Sequence, residues 1–193
     1  MTVSVQTATP ERWSDVVAVF GRRGEDPSWC WCRTFLTPGP PLPESGKPDN
    51  RQARHDEIDH DPTPPGLVAY LDGRAVGWSR VGPRDRFPGV SGNRTLQPVL
   101  EPDPSAWWVT CFVVSQDVRG RGIGTALLVA AGDYAKDQGA TSLDGYPVDV
   151  EDLQAKRVGA SALYTGTLGQ FAAAGFNEIA RPSPTRPLMR RDL

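Results

Sequence analysis

The sequence lacks a long apolar segment, an excess of either charge and a large number of cysteines. No apolar run in its 193 residues approaches the roughly 18 residues of a spanning helix. The first residues, MTVSVQTATPERW, lack a basic region followed by an apolar core, so we expect no targeting signal and a cytoplasmic protein. The 21 Lys and Arg balance the 23 Asp and Glu, for a net charge of -2. We therefore expect neither a nucleic-acid partner nor attachment to a membrane.

The three cysteines are an odd number, which argues against a disulfide framework. Cys30 and Cys32 form a C-x-C pair, and His55 and His60 follow farther along the chain. A metal site would have to collect these four side chains. Because zinc sites more often use C-x(2–4)-C pairs with closely ordered partners, we expect no metal.

A strand, a glycine-rich turn and a helix follow one another directly between Trp107 and Gly139. The segment 107–114 is almost entirely apolar, which predicts a strand covered on both faces in the middle of a sheet. Apolar residues then recur at three- and four-residue spacing from Ile123 to Tyr134, and this period predicts a helix with one buried face. Strict alternation along the strand would place Trp107, Val109, Cys111 and Val113 on one face and Trp108, Thr110, Phe112 and Val114 on the other.

The turn between the strand and the helix has the sequence RGRGIG, from Arg119 to Gly124. Glycines let the backbone turn tightly and approach a ligand, and the first N–H groups of a helix lack partners within it, so the turn is suited to an anion. An ordinary connection with solvated arginines is the alternative. A dinucleotide fold fits poorly because Thr125 or Leu127 falls at its third glycine and about a hundred residues precede the motif.

Together these features resemble the GNAT superfamily of N-acetyltransferases. Arg119, Gly122 and Gly124 match the family's Q/R-x-x-G-x-G/A signature, and the segment 174–176, AGF, resembles its closing motif. The resemblance covers nearly the whole chain, most firmly from about Trp107 to Ile179. It implies an α/β (α+β) GNAT fold in a single domain over residues 1–193. That fold has a mixed central sheet of about six to seven strands flanked by helices, with parallel strands four and five that splay apart.

The resemblance also implies acetyl-CoA as co-substrate, no metal, and direct transfer of the acetyl group to a primary amine of a small molecule. The pantetheine arm would bond to the edge of strand four, and the pyrophosphate would lie on the turn. We expect a monomer or a homodimer. An acetyltransferase for protein N-termini or lysines and a CoA-binding sensor without catalysis remain alternatives. The expected cofactor-binding residues are Phe112, Val113, Val114, Arg119, Gly120, Arg121, Gly122, Ile123, Gly124 and Thr125.

Residues 26–65 occupy the place where the family builds its lid and part of the acceptor site. This segment contains WCWCRTF and a proline-rich passage; a poorly ordered insertion is the alternative. Trp29 and Trp31 are expected to line a closed apolar pocket, which favours a small-molecule acceptor. Arg84 and Tyr146 are the other expected substrate-side residues, although solvated loop arginines are common.

The family's usual acid, a tyrosine five residues before the phenylalanine of its closing motif, is missing. Counting back from Phe176 places Phe171 there, and phenylalanine cannot donate a proton. Tyr164 is the candidate replacement. Asp144 is the expected base because it follows the point where the strands splay; bonding of its carboxylate to nearby backbone is the alternative.

Further elements come from local patterns. Asp72-Gly73 between two apolar runs predicts a hairpin, and Thr9-Pro10 predicts the start of a helix. The segments expected to form the remaining elements are a first strand at 3–6, hairpin strands at 67–71 and 74–81, a fifth strand at 142–146, a last helix at 167–174 and closing strands at 176–180 and 188–190.

Overall fold

A computed structural model describes residues 2–33, 35–36, 49–151 and 160–193. Its centre is one mixed sheet of seven strands in the order β1-β2-β3-β4-β5-β7-β6, in which β4 and β5 are parallel. This architecture confirms the predicted fold. The strands are β1 Val3–Thr7, β2 Gly66–Leu71, β3 Arg74–Pro83, β4 Ala106–Val114, β5 Ser142–Gly145, β6 Asn177–Ser183 and β7 Arg186–Asp192.

Helices cover both faces of the sheet, and α4 with α5 packs on a different apolar cluster from α1 with α2. The helices are α1 Trp13–Phe20, α2 Asn50–His60, α3 Pro88–Ser91, α4 Ile123–Asp137 and α5 Leu168–Ala173. Leu127 of α4 and Phe171 of α5 belong to one buried cluster, and Val16 of α1 and Ile58 of α2 belong to another. Within the described ranges, no helix is both long and apolar enough to cross a membrane.

The hairpin of β2 and β3 forms where the sequence predicts it. Asp72 and Gly73 have φ values of 48° and 83°, and positive φ at both central residues is the mark of a type I′ turn. The turn matches the twist of the two strands, which pair Leu71 with Arg74 next to it.

A β-bulge in β4 breaks the expected alternation of its side chains. The register with β3 shifts between the pairs Arg80–Thr110 and Trp78–Val113, and Cys111 has a φ of 56°. An extra residue reverses the faces beyond it. Cys111 and Val113 therefore pack with the α1 and α2 cluster, whereas Phe112 and Val114 join Trp107 and Val109 on the α4 side. The strict alternation predicted from the sequence is wrong beyond the bulge.

The parallel strands β4 and β5 separate directly before the bulge. Their last pair is Val109 with Gly145. The chain then turns away from β4, and Val148 bridges to Thr167 instead. As a result, the edge of β4 from 110 to 114 carries no strand partner on this side among the described residues.

The proline-rich part of the expected lid, residues 37–48, lies outside the described residues. The described parts of the expected lid include the WCWC segment, residues 29–32, before it and α2 after it. Helix α2 begins directly after this passage, where the side chain of Asp49 accepts a hydrogen bond from the amide of Gln52.

Candidate active site

The open edge of β4 forms one wall of a cavity of about 700 Å³. The glycine-rich turn, the start of α4, the WCWC segment and the 3-10 turn at 160–165 contribute the rest of its lining. The structure thus brings together most of the residues predicted to bind cofactor. The lining residues are Phe20, Trp29, Cys30, Trp31, Cys32, Cys111, Phe112, Val113, Val114, Val118, Arg119, Gly120, Gly122, Ile123, Gly124, Thr125, Leu163, Tyr164, Thr167 and Gln170.

The glycine-rich turn lines the cavity together with the first residues of α4. Gly120 and Gly122 both have a φ of 77°, and space around each is open. In the part of the chain that the structure describes, the amides from Gly122 to Thr125 donate to no backbone acceptor. Four N–H groups at the positive end of a helix form a site that attracts an anion. Arg119 lines the cavity beside them, whereas Arg121 is exposed and lies outside the cavity lining.

Gly124 is required for a close contact between α4 and α5. A β-carbon at this position would lie 2.6 Å from Nε2 of Gln170. The same Gln170 side chain accepts a hydrogen bond from the amide of Thr167 and completes a capping box at the start of α5. The turn is therefore held against the second helix through one glutamine.

The aromatic wall of the cavity is built on Trp31. This side chain is fully buried, and its ring stacks on Phe20 and Trp13 at centroid distances of 4.5 and 5.7 Å. Its backbone has a φ of 41°, a left-handed value that bulky residues rarely adopt. Trp29, by contrast, is 42% exposed at the same cavity. Both tryptophans that the sequence analysis singled out therefore line the cavity, Trp31 as a buried ring and Trp29 as an accessible one.

A buried ionic cluster holds that wall, and the sequence analysis missed it. Arg54 of α2 is fully buried and donates from Nη2 to the carbonyls of Trp31 at 2.8 Å and Cys32 at 3.2 Å. Its Nη1 bonds to Glu57 at 2.6 Å, and Glu57 also accepts from Arg80 of β3. Burial, together with the charge of Arg80, lowers the pKa of Arg54 to about 10. The sequence does contain a signal for this cluster: Arg54 lies four residues before Ile58, so both fall on the same face of an otherwise polar helix, and this is the face that is buried.

Tyr164 faces the cavity, and Phe171 does not. Tyr164 is half-buried among the lining residues, and its ring lies 6.3 Å from that of Phe35. Burial raises the pKa of Tyr164, with a contribution from Cys111, so the phenol stays protonated at neutral pH. Phe171 is fully buried and packs edge-on against Phe112 and Phe176, at centroid distances of 6.1 and 4.8 Å.

The structure places Asp144, the expected base, outside the cavity lining. Its carboxylate is fully buried and accepts bonds from Nη1 of Arg84 at 2.9 Å and from Nε and Nη2 of Arg190 at 2.7 and 2.9 Å. These bonds join β5 to β7 and to the turn after β3. Both terminal nitrogens of Arg84 therefore have partners, since its Nη2 also donates a hydrogen bond to the carbonyl oxygen of Glu101.

Tyr146, the other residue expected on the substrate side, is also absent from the cavity lining. It is buried in a third apolar cluster with Phe87 and Trp108, and Arg186 lies over its ring at 5.6 Å. None of Asp144, Arg84 and Tyr146 is therefore among the residues that line the cavity. The sequence analysis grouped them with the site because they neighbour the splay along the chain.

The side chains considered for a metal site have other contacts. His55 packs edge-on against Trp13 and pairs with Asp59, and Nδ1 of His60 lies 2.7 Å from the carbonyl oxygen of Asp56. Over the described residues, no group of three or more His, Cys, Asp or Glu is arranged to hold a metal ion.

Comparison with known proteins gives this arrangement its family. A model of the acetyltransferase (GNAT) family matches residues 29–158, which include the WCWC segment, β4, the turn and α4. The chain belongs to the GNAT acetyltransferase family. The resemblance inferred from the sequence is therefore confirmed, and with it the assignment as an acetyltransferase. None of the curated protein sequences matches the chain.

Solved structures share the GNAT fold over essentially the whole chain. The GNAT domain of S. lividans PAT is 17% identical, with a TM-score of 0.56, covering 100% of this chain and 92% of that one. The aminoglycoside acetyltransferase AAC(6')-Ib in complex with coenzyme A and kanamycin is 14% identical, with a TM-score of 0.56 and coverages of 99% and 95%. The ribosomal-protein-alanine N-acetyltransferase of Brucella melitensis is 16% identical, with a TM-score of 0.54 and coverages of 98% and 99%.

Proposed function

We propose that this acetyltransferase moves the acetyl group of acetyl-CoA to a primary amine of a small molecule by direct attack. One observation carries the proposal: a single cavity joins unbonded helix amides, an open strand edge and an aromatic wall. These three surfaces suit, in that order, a pyrophosphate, an arm with two amides and an acceptor with apolar parts.

The amides from Gly122 to Thr125 and the side chain of Arg119 bind the CoA pyrophosphate in this proposal. The pantetheine arm then lies along Phe112 to Val114, where its amides bond to backbone groups that no strand of the described chain occupies. The thioester would reach the bulge at Cys111. The acceptor enters beside Trp29, the exposed ring of the wall.

The proposed acetyl transfer depends mainly on backbone groups and on one side chain. The neutral amine attacks the thioester carbonyl, backbone N–H groups of β4 stabilise the oxyanion, and the tetrahedral intermediate expels the CoA thiolate. Tyr164 donates the proton that the thiolate takes up, since its phenol is protonated at neutral pH and lines the cavity. The attacking nitrogen loses one proton to solvent, and solvent returns one to the Tyr164 phenolate. Asp144 takes no part because both its oxygens are bonded to arginines away from the cavity.

Support for a small-molecule acceptor comes from the wall and its rigidity. Trp31 is locked by stacking and by Arg54, so the acceptor end is a preformed apolar surface. Apolar, preformed clefts with a few polar groups are typical of small-molecule sites. The fold does not decide the acceptor, because both an aminoglycoside enzyme and a ribosomal-protein enzyme share it.

An acceptor screen tests the proposal. The protein is incubated with acetyl-CoA and each member of a library of primary amines, with peptides bearing free N-termini or lysines as a second arm. Release of the CoA thiol and the product mass are recorded, and Gly122→Asp serves as the blank. Turnover of small amines alone supports the proposal. Turnover of peptides alone contradicts it, and tight acetyl-CoA binding without any turnover favours the sensor.

A further inference from the structure

All three cysteines of the chain converge on the cavity, although two come from the WCWC segment and one from β4. Cys30 is exposed, whereas Cys32 and Cys111 are buried in its floor. Sγ of Cys32 lies 3.7 Å from the carbonyl oxygen of Cys111. The acetyl-transfer chemistry proposed above uses none of these thiols.

The two buried cysteines sit on unusual backbone. Cys32 has a φ of 59° and Cys111 a φ of 56°, left-handed values that non-glycine residues seldom adopt and that cluster at functional sites. Arg54 fixes the first by its bond to the carbonyl of Cys32. The bulge in β4 fixes the second. The fold thus places the thiol of Cys32 against the backbone carbonyl of Cys111, where the WCWC segment meets the unpaired edge of β4.

The surroundings make the two thiols chemically unequal. Burial alone would raise the pKa of Cys32, but its hydrogen bond with Cys111 and the charges of Arg54 and Arg80 hold that pKa below the usual value. The same hydrogen bond, with burial, raises the pKa of Cys111 well above the usual value. When two neighbouring thiols differ in this direction, the sulfur of lower pKa is the one that attacks an oxidant and the other can resolve the product.

We propose that Cys32 and Cys111 are a peroxide-reactive pair whose disulfide closes the acetyl-CoA site. The Cys32 thiolate attacks one oxygen of hydrogen peroxide, which gives the sulfenic acid and hydroxide. The Cys111 thiol then attacks the sulfenic sulfur, forms the S–S bond and expels water. In sum, the two thiols lose two hydrogen atoms and one peroxide becomes two waters.

A disulfide between Cys32 and Cys111 would link two segments that line the cavity. A disulfide brings its sulfurs to about 2.0 Å and its α-carbons to within about 7 Å. This link ties the WCWC segment to the bulge, beside the strand edge on which pantetheine is proposed to lie. Only this consequence rests on the proposed function, since disulfide formation itself needs no acceptor.

The test uses the wild-type protein before and after treatment with hydrogen peroxide. Intact mass and peptide mapping should show the loss of two hydrogen atoms and a Cys32–Cys111 link. Titration with acetyl-CoA should show affinity lowered at least about ten-fold, and a reductant should restore it. Cys30→Ser should form the same link, whereas Cys111→Ala should leave Cys32 open to a dione that traps sulfenic acids.

Three results would overturn the inference: no loss of hydrogen, a link from Cys32 to Cys30, or the expected link with unchanged acetyl-CoA affinity. Both affinity and mass are measured without an acceptor. Failure of the amine screen therefore leaves this test intact, and failure of this test leaves the acetyl transfer proposal intact.

Discussion

Phe171 packs directly on Gly145, so closely that a β-carbon at position 145 would collide with the phenylalanine ring. Gly145 forms the last pair between the parallel strands, and Phe171 also contacts Phe112 on the open edge. The ring thus fills the gap where β4 and β5 separate. The residue that the sequence places at the family's tyrosine position is a packing element of the splay.

Gly145→Ala should lower the free energy of unfolding by about 1–3 kcal/mol, because the core there has no room for a methyl group. Gly169→Ala is the matched control, since nothing lies within 4 Å of a β-carbon at that position of α5. Its effect should stay below about 1 kcal/mol. Urea denaturation of both variants gives the comparison; equal stabilities would show that Phe171 does not wedge the strands.

Gly122→Asp should abolish or greatly weaken acetyl-CoA binding, because a carboxylate would compete with the pyrophosphate for the helix amides. Gly139→Asp is the control. Gly139 has a φ of 84°, close to the 77° of Gly122, and a β-carbon there meets nothing within 4 Å. Both variants therefore carry the same charge and similar backbone strain at opposite ends of α4. Calorimetry that finds equal affinities would refute the pyrophosphate site.

Tyr164→Phe should lower kcat at saturating acetyl-CoA about ten-fold or more and leave CoA affinity nearly unchanged. Tyr146→Phe is the control, a tyrosine outside the cavity lining whose pKa is likewise raised by burial. Full kcat in Tyr164→Phe, with chemistry shown to limit the rate, would make Tyr164 a packing residue.

The pH dependence of the same pair checks the state of the acid. The folded pKa of Tyr164 is raised above the ordinary value of about 10, so the phenol is protonated at every lower pH. The ratio of wild-type kcat to that of Tyr164→Phe should stay constant from neutral pH up to about 10 and fall only above it. A ratio that already falls near neutral pH contradicts the assignment.

Asp144→Asn should destabilise the fold by about 3–5 kcal/mol, since it leaves two arginines without their buried carboxylate. Asp117→Asn, which disrupts the exposed pair with Arg74, should leave stability unchanged. Urea denaturation distinguishes the two. A stable Asp144→Asn protein that has lost kcat together with one limb of its pH profile would instead identify Asp144 as the base.

The sequence predicted those parts of the site that depend on local order. The turn from Arg119 to Gly124 and its helix are contiguous, so glycine spacing and apolar periodicity predict both. The Asp72-Gly73 hairpin is equally local. In each case the residues that determine the structure lie within a few positions of one another.

The other features of the fold and the site depend on contacts between residues far apart in the sequence, which local patterns do not reveal. The bulge at Cys111 reverses the faces of β4 because of its register with β3, and alternation alone cannot reveal it. Asp144 bonds to Arg84 and Arg190, 60 and 46 residues away. Its neighbours in sequence suggested a catalytic place, whereas its neighbours in space are two arginines that bind its carboxylate.

Hydrogen exchange with and without acetyl-CoA tests the central claim most directly, since it locates the ligand without an acceptor. The proposed site predicts slower exchange of the amides from Gly122 to Thr125 and from Phe112 to Val114. The amides of β6, Asn177–Ser183, lie at the far edge of the sheet and should not change. Saturating acetyl-CoA that protects other segments, or leaves both of these unprotected, would contradict the account.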